Sequence, residues 1–147
     1  MKKEVLITVR GTQEGENGPE TVELMTRGTM TGRNGKFAIS YEETELTGTA
    51  GVISTFLVLN PERVVLTRQG TIKSRMVFVK GVRDESLYDL GFGALLLGVF
   101  TRDIQVELSD DGGRLFIDYV VEIEQSYANH NSYEVLIKPI HTEEKVP

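Results

Sequence analysis

Apolar and polar residues alternate with a period of two along almost the whole chain, and this restricts the possible folds more than any other feature. Successive side chains of a strand point to opposite faces, so alternation marks a half-buried strand. Val5, Ile7 and Val9 alternate with Leu6, Thr8 and Arg10. Phe37, Ile39 and Tyr41 share one face against Ala38, Ser40 and Glu42. Ile104, Val106 and Leu108 alternate with Asp103, Gln105 and Glu107, and Leu115, Ile117, Tyr119, Val121 and Ile123 form one face of a longer run. Tyr133, Val135 and Ile137 close the series. No segment sustains helical spacing with a cap at each end.

Turn signals divide the chain into short strands. Glu14 to Glu20 (EGENGPE) reads as a polar loop, and Asn34-Gly35 favours a tight hairpin. Asn60-Pro61, Gln69-Gly70 and Asp111-Gly112-Gly113 mark further turns, and the polar stretch Ala128 to Asn131 reads as a loop. About ten strands at this spacing imply an all-β fold, either a sandwich or a barrel. A single antiparallel barrel of about 8–10 strands is expected, because short connections pair sequential strands and closure removes exposed edges. The expected domain covers residues 1–140, with residues 141–147 as a frayed tail.

One stretch breaks the alternation. Leu90 to Phe100 is an unbroken apolar run with three glycines, Gly91, Gly93 and Gly98. It is too short for a membrane helix, which takes about 20 residues. Gly98 is followed by Val99 and Phe100, so it lacks the Gly-Lys-Ser/Thr ending of a phosphate loop. GFGALLLG does not match the spacing of a dinucleotide fingerprint, and no helix follows it. The run therefore reads as a strand buried on both faces, its outward face covered, and its glycines allowing bends or close approach of a neighbour.

Charge and composition narrow the function. The 147 residues carry 22 acidic and 16 basic side chains, a net charge of -6. The basic residues are scattered, which argues against nucleic acid and against an anionic membrane surface. The chain has no cysteine, so thiol catalysis, thiolate metal sites and disulfides are excluded. MKKEVLITVRG lacks the apolar core of a secretory signal, and a cytoplasmic protein is expected. His130 and His141 are the only histidines, one in a loop-like stretch and one in the tail. Two distant histidines without cysteine or a matching carboxylate spacing argue against a metal site, no Gly-x-Ser-x-Gly nucleophile elbow occurs, and no cofactor is expected. Glu42-Glu43-Thr44-Glu45 and Asp110-Asp111 read as solvated turns.

The order VVLTRQGTIKSRMVF, Tyr88, GALLLGVFT and RLFIDYVVEI resembles the YwiB-like family of small bacterial proteins. The similar block runs from about Val64 to Ile137, and its most specific pieces are Arg68-x-Gly70 and Tyr88 through Gly93 to Thr101. Asp89-Leu90-Gly91-Phe92 stands where the family pattern suggests a Thr-Pro turn. The resemblance implies a calycin-like, lipocalin-type barrel and a cytoplasmic setting, and it implies no activity. The Gly-x-Trp motif of true lipocalins is absent, because the chain has no tryptophan.

Polar residues that share a face with apolar ones are the candidate site. Arg68 has the parity of Val64 and Leu66, Tyr119 that of Ile117 and Val121, and Tyr41 that of Ile39. Arg75 reads as facing water. If its face points inward, Arg68 sits in or at the mouth of the barrel, where a guanidinium needs a carboxylate, either of the protein (Glu43) or of a ligand. Tyr41, Tyr88 and Tyr119 are the aromatic candidates beside it. Two functions follow as expectations. One is a binding module holding a small hydrophobic or anionic molecule. The other is a filled barrel acting through its surface as a homodimer, its partner copy covering Leu90 to Phe100.

Overall fold

The computed structural model describes residues 2–15, 18–43, 51–70, 73–89, 93–124 and 126–140; the side chains of Tyr88, Asp89, Tyr127 and Ala128 lie outside that description. The expected frayed tail, His141 and Gly91 fall outside it as well. Among the described residues ten strands run in chain order: β1 (Lys2–Gly15), β2 (Gly18–Arg33), β3 (Lys36–Glu42), β4 (Ile53–Asn60), β5 (Arg63–Gln69), β6 (Ser74–Val79), β7 (Arg83–Asp89), β8 (Ala94–Ser109), β9 (Gly112–Ile123) and β10 (Ser126–Pro139). They form one antiparallel sheet in the order β6-β5-β4-β3-β2-β1-β10-β9-β8-β7.

The sheet curls into a nearly closed barrel. Its two edge strands, β6 and β7, are consecutive in the chain, so the seam lies where Lys80 to Val82 joins them. Hydrogen bonds from Gly81 N to Thr101 O (2.8 Å) and from Thr101 N to Val82 O (3.4 Å) hold that connection against β8.

The alternation in the sequence becomes an inside and an outside. Val5, Ile7, Ile39, Phe56, Val58, Leu66, Phe78, Leu115, Ile117 and Val135 pack into one buried cluster. Each such side chain removed from water contributes roughly 1.5–3 kcal/mol. The outside of five adjacent strands carries an alternating ion ladder. Glu107 on β8 meets Arg114 on β9 (3.7 Å), which meets Glu134 on β10 (2.9 Å); Glu134 meets Arg10 on β1 (3.5 Å), which meets Glu23 on β2 (2.8 Å).

The expected turns at Asn34-Gly35, Asn60-Pro61 and Asp111-Gly112 are present. Asn34 and Gly35 both take positive φ (54° and 78°), the geometry of a two-residue hairpin turn. Four expectations need correction. Glu14 to Glu20 is not a loop throughout: β1 runs through Gly15 and β2 begins at Gly18, paired from Glu14↔Pro19 to Gly15↔Gly18. Backbone pairing continues there although the side chains are polar on both faces. Likewise Ala128 to Asn131 lies inside β10, with a register shift between Tyr127 and Asn129.

Third, the run at Leu90 to Phe100 forms a strand from Ala94 onward, but burial on both faces is confined to Leu97, Gly98 and Val99. Ala94 and Phe100 are exposed. At Gly98 the outward face is covered by the chain itself. A Cβ there would meet Arg83 Nη2 at 2.5 Å and Glu122 Oε1 at 3.0 Å, because the Arg83–Glu122 ion pair (2.6 Å) lies across the glycine. A register shift between Thr101 and Asp103 then changes which parity points inward, so Leu97 and Val99 and later Ile104 all reach the core. Fourth, the Glu42 to Glu45 cluster is not a solvated turn throughout: Glu42 is exposed, but Glu43 is buried at 6% exposure.

Candidate functional site

The barrel is filled in its lower part and hollow near one end. The β1–β2 hairpin outruns β3, which pairs with β2 only from Gly28 to Arg33. The projecting part, with the inner faces of β3, β5, β9 and β10, walls a cup of about 310 Å³. Val9, Val22 and Leu24 give it apolar walls, and Gln13, Glu20 and Asn131 line it with polar groups. That volume is at the lower end of small-molecule sites, roughly 300–1,000 Å³.

Three of the four expected site residues, Tyr41, Arg68 and Tyr119, line this cup. Parity placed them correctly: each lies on the inward face of its strand, β3, β5 and β9. Tyr88 lies in β7, its backbone opposite Leu95 of β8, and its side chain is outside the described part of the molecule.

Arg68 spans the barrel interior. Its Nη2 donates to the Tyr133 hydroxyl across the barrel on β10 at 2.7 Å. Tyr133 was legible only as one more inward residue beside Val135 and Ile137; nothing in the sequence marked it as the arginine's partner. Glu43, the carboxylate foreseen as that partner, lines the same cup, and it is hydrogen-bonded to Tyr41 two residues earlier on the same face.

Below Arg68 the rings form a continuous chain. Tyr41 and Phe56 lie 6.4 Å apart, Phe56 and Tyr133 5.6 Å, Tyr133 and Tyr119 5.8 Å, and Tyr119 and Phe78 4.8 Å. These spacings are those of favourable offset or edge contacts, about 4.5–7 Å. The aromatic chain separates the cup from the core.

Burial acts on the hydroxyls of Tyr41 and Tyr119. Burial raises the Tyr41 hydroxyl well above the ordinary tyrosine range, and the nearby Glu43 carboxylate adds to it. Burial is also the largest cause that raises Tyr119, and its interaction and hydrogen bond with Tyr133 act in the same direction. The cup therefore presents apolar walls, one guanidinium, the protonated hydroxyls of Tyr41 and Tyr119 and a buried carboxylate.

His130 lies outside the cup, on the outer face of β10. Its Nδ1 contacts Glu14 Oε2 of β1 at 2.5 Å, and its Nε2 bonds Asp118 of β9. The hydrogen bond with Asp118 is the largest of the effects that raise its pKa, ahead of that with Glu14. Among the described residues no group of His, Asp and Glu could hold a metal ion. Nor is any described helix long and apolar enough to cross a membrane.

A ten-stranded barrel with a shallow polar-floored cup places the chain among small barrel proteins, and the comparisons define the group. The domain of unknown function DUF1934 matches residues 7–135, and the chain belongs to this family. It is 31% identical over 126 residues to the uncharacterized beta-barrel protein YwiB of Bacillus subtilis (strain 168), covering 84% of this chain and 86% of that one. The crystal structure of the ywiB protein from Bacillus subtilis has the same fold, with a TM-score of 0.75 at 22% identity over 95% of this chain and 94% of the other. The resemblance read from Arg68-x-Gly70 and the Tyr88 to Thr101 stretch is thus borne out.

Proposed function

We propose that the protein binds a small amphipathic molecule in the cup, its apolar part against Val9, Val22 and Leu24 and its polar part toward Arg68. The observation that carries this reading is the arrangement of the cup: a hollow of about 310 Å³ in which an arginine held by Tyr133 faces apolar walls. A barrel of this size can be filled by side chains or hold one small ligand. Here the filling stops at the aromatic chain. Calycin-type barrels hold ligands in a similar place, an analogy of fold that supports the reading without specifying a ligand. A cytoplasmic setting is part of the proposal, and the lack of cysteine fits it.

Native mass spectrometry of gently purified protein tests it. A bound molecule released on denaturation is the expected result. Val22→Trp, at a partly exposed position on the cup wall, fills the space and is expected to abolish the adduct while leaving the fold intact. A bare protein mass, with no gain in melting temperature from any medium-chain amphiphile, would refute the reading.

A second reading is self-association through the outer side of β7 and β8. Leu87 is 65% exposed and Phe100 40% exposed on this side, apolar surface that a second copy would cover. Light scattering at micromolar concentration decides it: a dimer mass that becomes monomeric in Leu87→Glu supports this reading, and a monomer mass for the unaltered protein removes it.

A further inference from the structure

The inward face of the projecting hairpin changes character in register. At its buried end Leu24, Val9 and Val135 stand opposite one another on β2, β1 and β10. Two residues further along each strand the row is Val22, Gly11 and Tyr133, and two further again it is Glu20, Gln13 and Asn131. Residues two apart share one face of a strand, so all three rows point inward. One side of the barrel interior thus passes from aliphatic to aromatic to amide and carboxylate over four residues of strand, about 13 Å. Each member of the polar row lines the cup.

These polar groups are little used within the protein. Among the described residues the side chains of Glu20 and Gln13 make no hydrogen bond or ion pair, and Asn131 donates from Nδ2 to Asn129 Oδ1 at 2.6 Å. The two amides donate and accept, whereas the carboxylate only accepts.

The other charges of the cup are engaged and of opposite sign. Arg68 donates to the Tyr133 hydroxyl, and Glu43 is hydrogen-bonded to Tyr41. An anionic head in the cup would share it with the buried Glu43 carboxylate, and a cationic head would share it with the guanidinium. A charge taken out of water without a counter-ion of its own is costly. An ammonium turned toward Glu20 gains little, because that carboxylate is exposed. A hydroxyl donates and accepts through one atom and needs no counter-ion.

We propose that the cup selects an uncharged amphiphile whose head carries hydroxyls, which donate to Glu20 and exchange hydrogen bonds with Gln13 and Asn131 while the tail lies along Val22, Val9 and Leu24. The inference rests on the cup reading and adds the class of head group.

Three probes with the same eight-carbon chain test it: 1,2-octanediol, octanoate and octylammonium, titrated calorimetrically near neutral pH. The diol is expected to bind on the order of tenfold more tightly than either ion, the worth of one or two net hydrogen bonds. Gln13→Leu/Glu20→Leu, with both changes at exposed positions, should weaken the diol by on the order of tenfold and leave the melting temperature near that of the unaltered protein. Val22→Trp should abolish binding of the diol, which places it in the cup. An ion that binds as tightly as the diol, or a diol affinity unchanged by the double substitution, overturns the head-group assignment and leaves the cup. Diol binding that survives Val22→Trp, or failure of all three probes to bind, overturns the cup reading as well.

Discussion

The bond from Arg68 to Tyr133 makes a quantitative prediction about stability. Tyr133→Phe removes only an oxygen. The ring keeps its contacts with Phe56 and Tyr119, at 5.6 and 5.8 Å, while the guanidinium loses a partner at 2.7 Å. Hydrogen bonds to charged groups contribute roughly 1.5–3 kcal/mol, and the partial exposure of this pair places it near the lower end, about 1.5 kcal/mol. For 147 residues an unfolding entropy of about 2.1 cal/mol/K per residue gives roughly 0.3 kcal/mol/K, so the expected fall in Tm is about 5 °C. The single variant also removes the Tyr119–Tyr133 hydrogen bond, so a double-mutant cycle is the proper assay. Arg68→Met keeps most of the aliphatic stem, and the Tyr119 contribution cancels because it is lost in both arms that carry the Tyr133→Phe substitution. Urea unfolding of the four proteins should give a coupling energy of about 1.5 kcal/mol. A coupling within about 0.3 kcal/mol of zero would refute the argument that this bond organises the floor of the cup.

Two further expectations concern the sheet. The pKa of His130 is raised in the folded protein by Asp118 first and Glu14 second. The stabilisation from its protonated form is therefore complete below its unfolded pKa of about 6.5 and is lost as pH rises through the higher folded value. Urea midpoints for the protein and His130→Gln should differ more at pH 6 than at pH 9, and a pH-independent difference would count against these carboxylate contacts. Gly28→Ala and Gly98→Ala should behave differently. A Cβ at Gly28 would overlap the Ser40 carbonyl oxygen and Ile7 Cδ1, so backbone must move, whereas at Gly98 it meets the mobile end of Arg83. Thermal melts should show a loss of about 2–3 kcal/mol for the first and under about 1 kcal/mol for the second; equal losses would contradict the packing described.

Much of the barrel was legible because period-two alternation is a direct consequence of strand geometry. The same parity placed Tyr41, Arg68 and Tyr119 on inward faces, and all three line one cup. What was not legible depends on pairing rather than pattern. The strand around His130 looked like a loop because its side chains are polar, yet β1 and β9 pair with it through backbone groups that carry no sequence signal. Tyr133 reaches Arg68 across the interior, a contact fixed by how the sheet curls. Glu43 sat in a run of acids that resembled a solvated turn, and only its position two residues after Tyr41 on an inward face draws it inside. The covering of Gly98 by Arg83 and Glu122 likewise follows from the alignment of β7, β8 and β9, which no single segment specifies.

The ion ladder from Glu107 to Glu23 solves a problem that the core cannot. A slip of one residue between two strands turns the apolar face outward and is rejected at once. A slip of two residues keeps every apolar side chain inside, so burial alone hardly distinguishes it from the correct pairing. Sliding β10 by two along β1 would set Ser132 or Leu136, rather than Glu134, opposite Arg10. Each pair is at the surface and individually weak. In sequence along five strands, however, the alternating signs act as a vernier scale: the core selects which side of each strand faces inward, and the ladder selects which residue meets which.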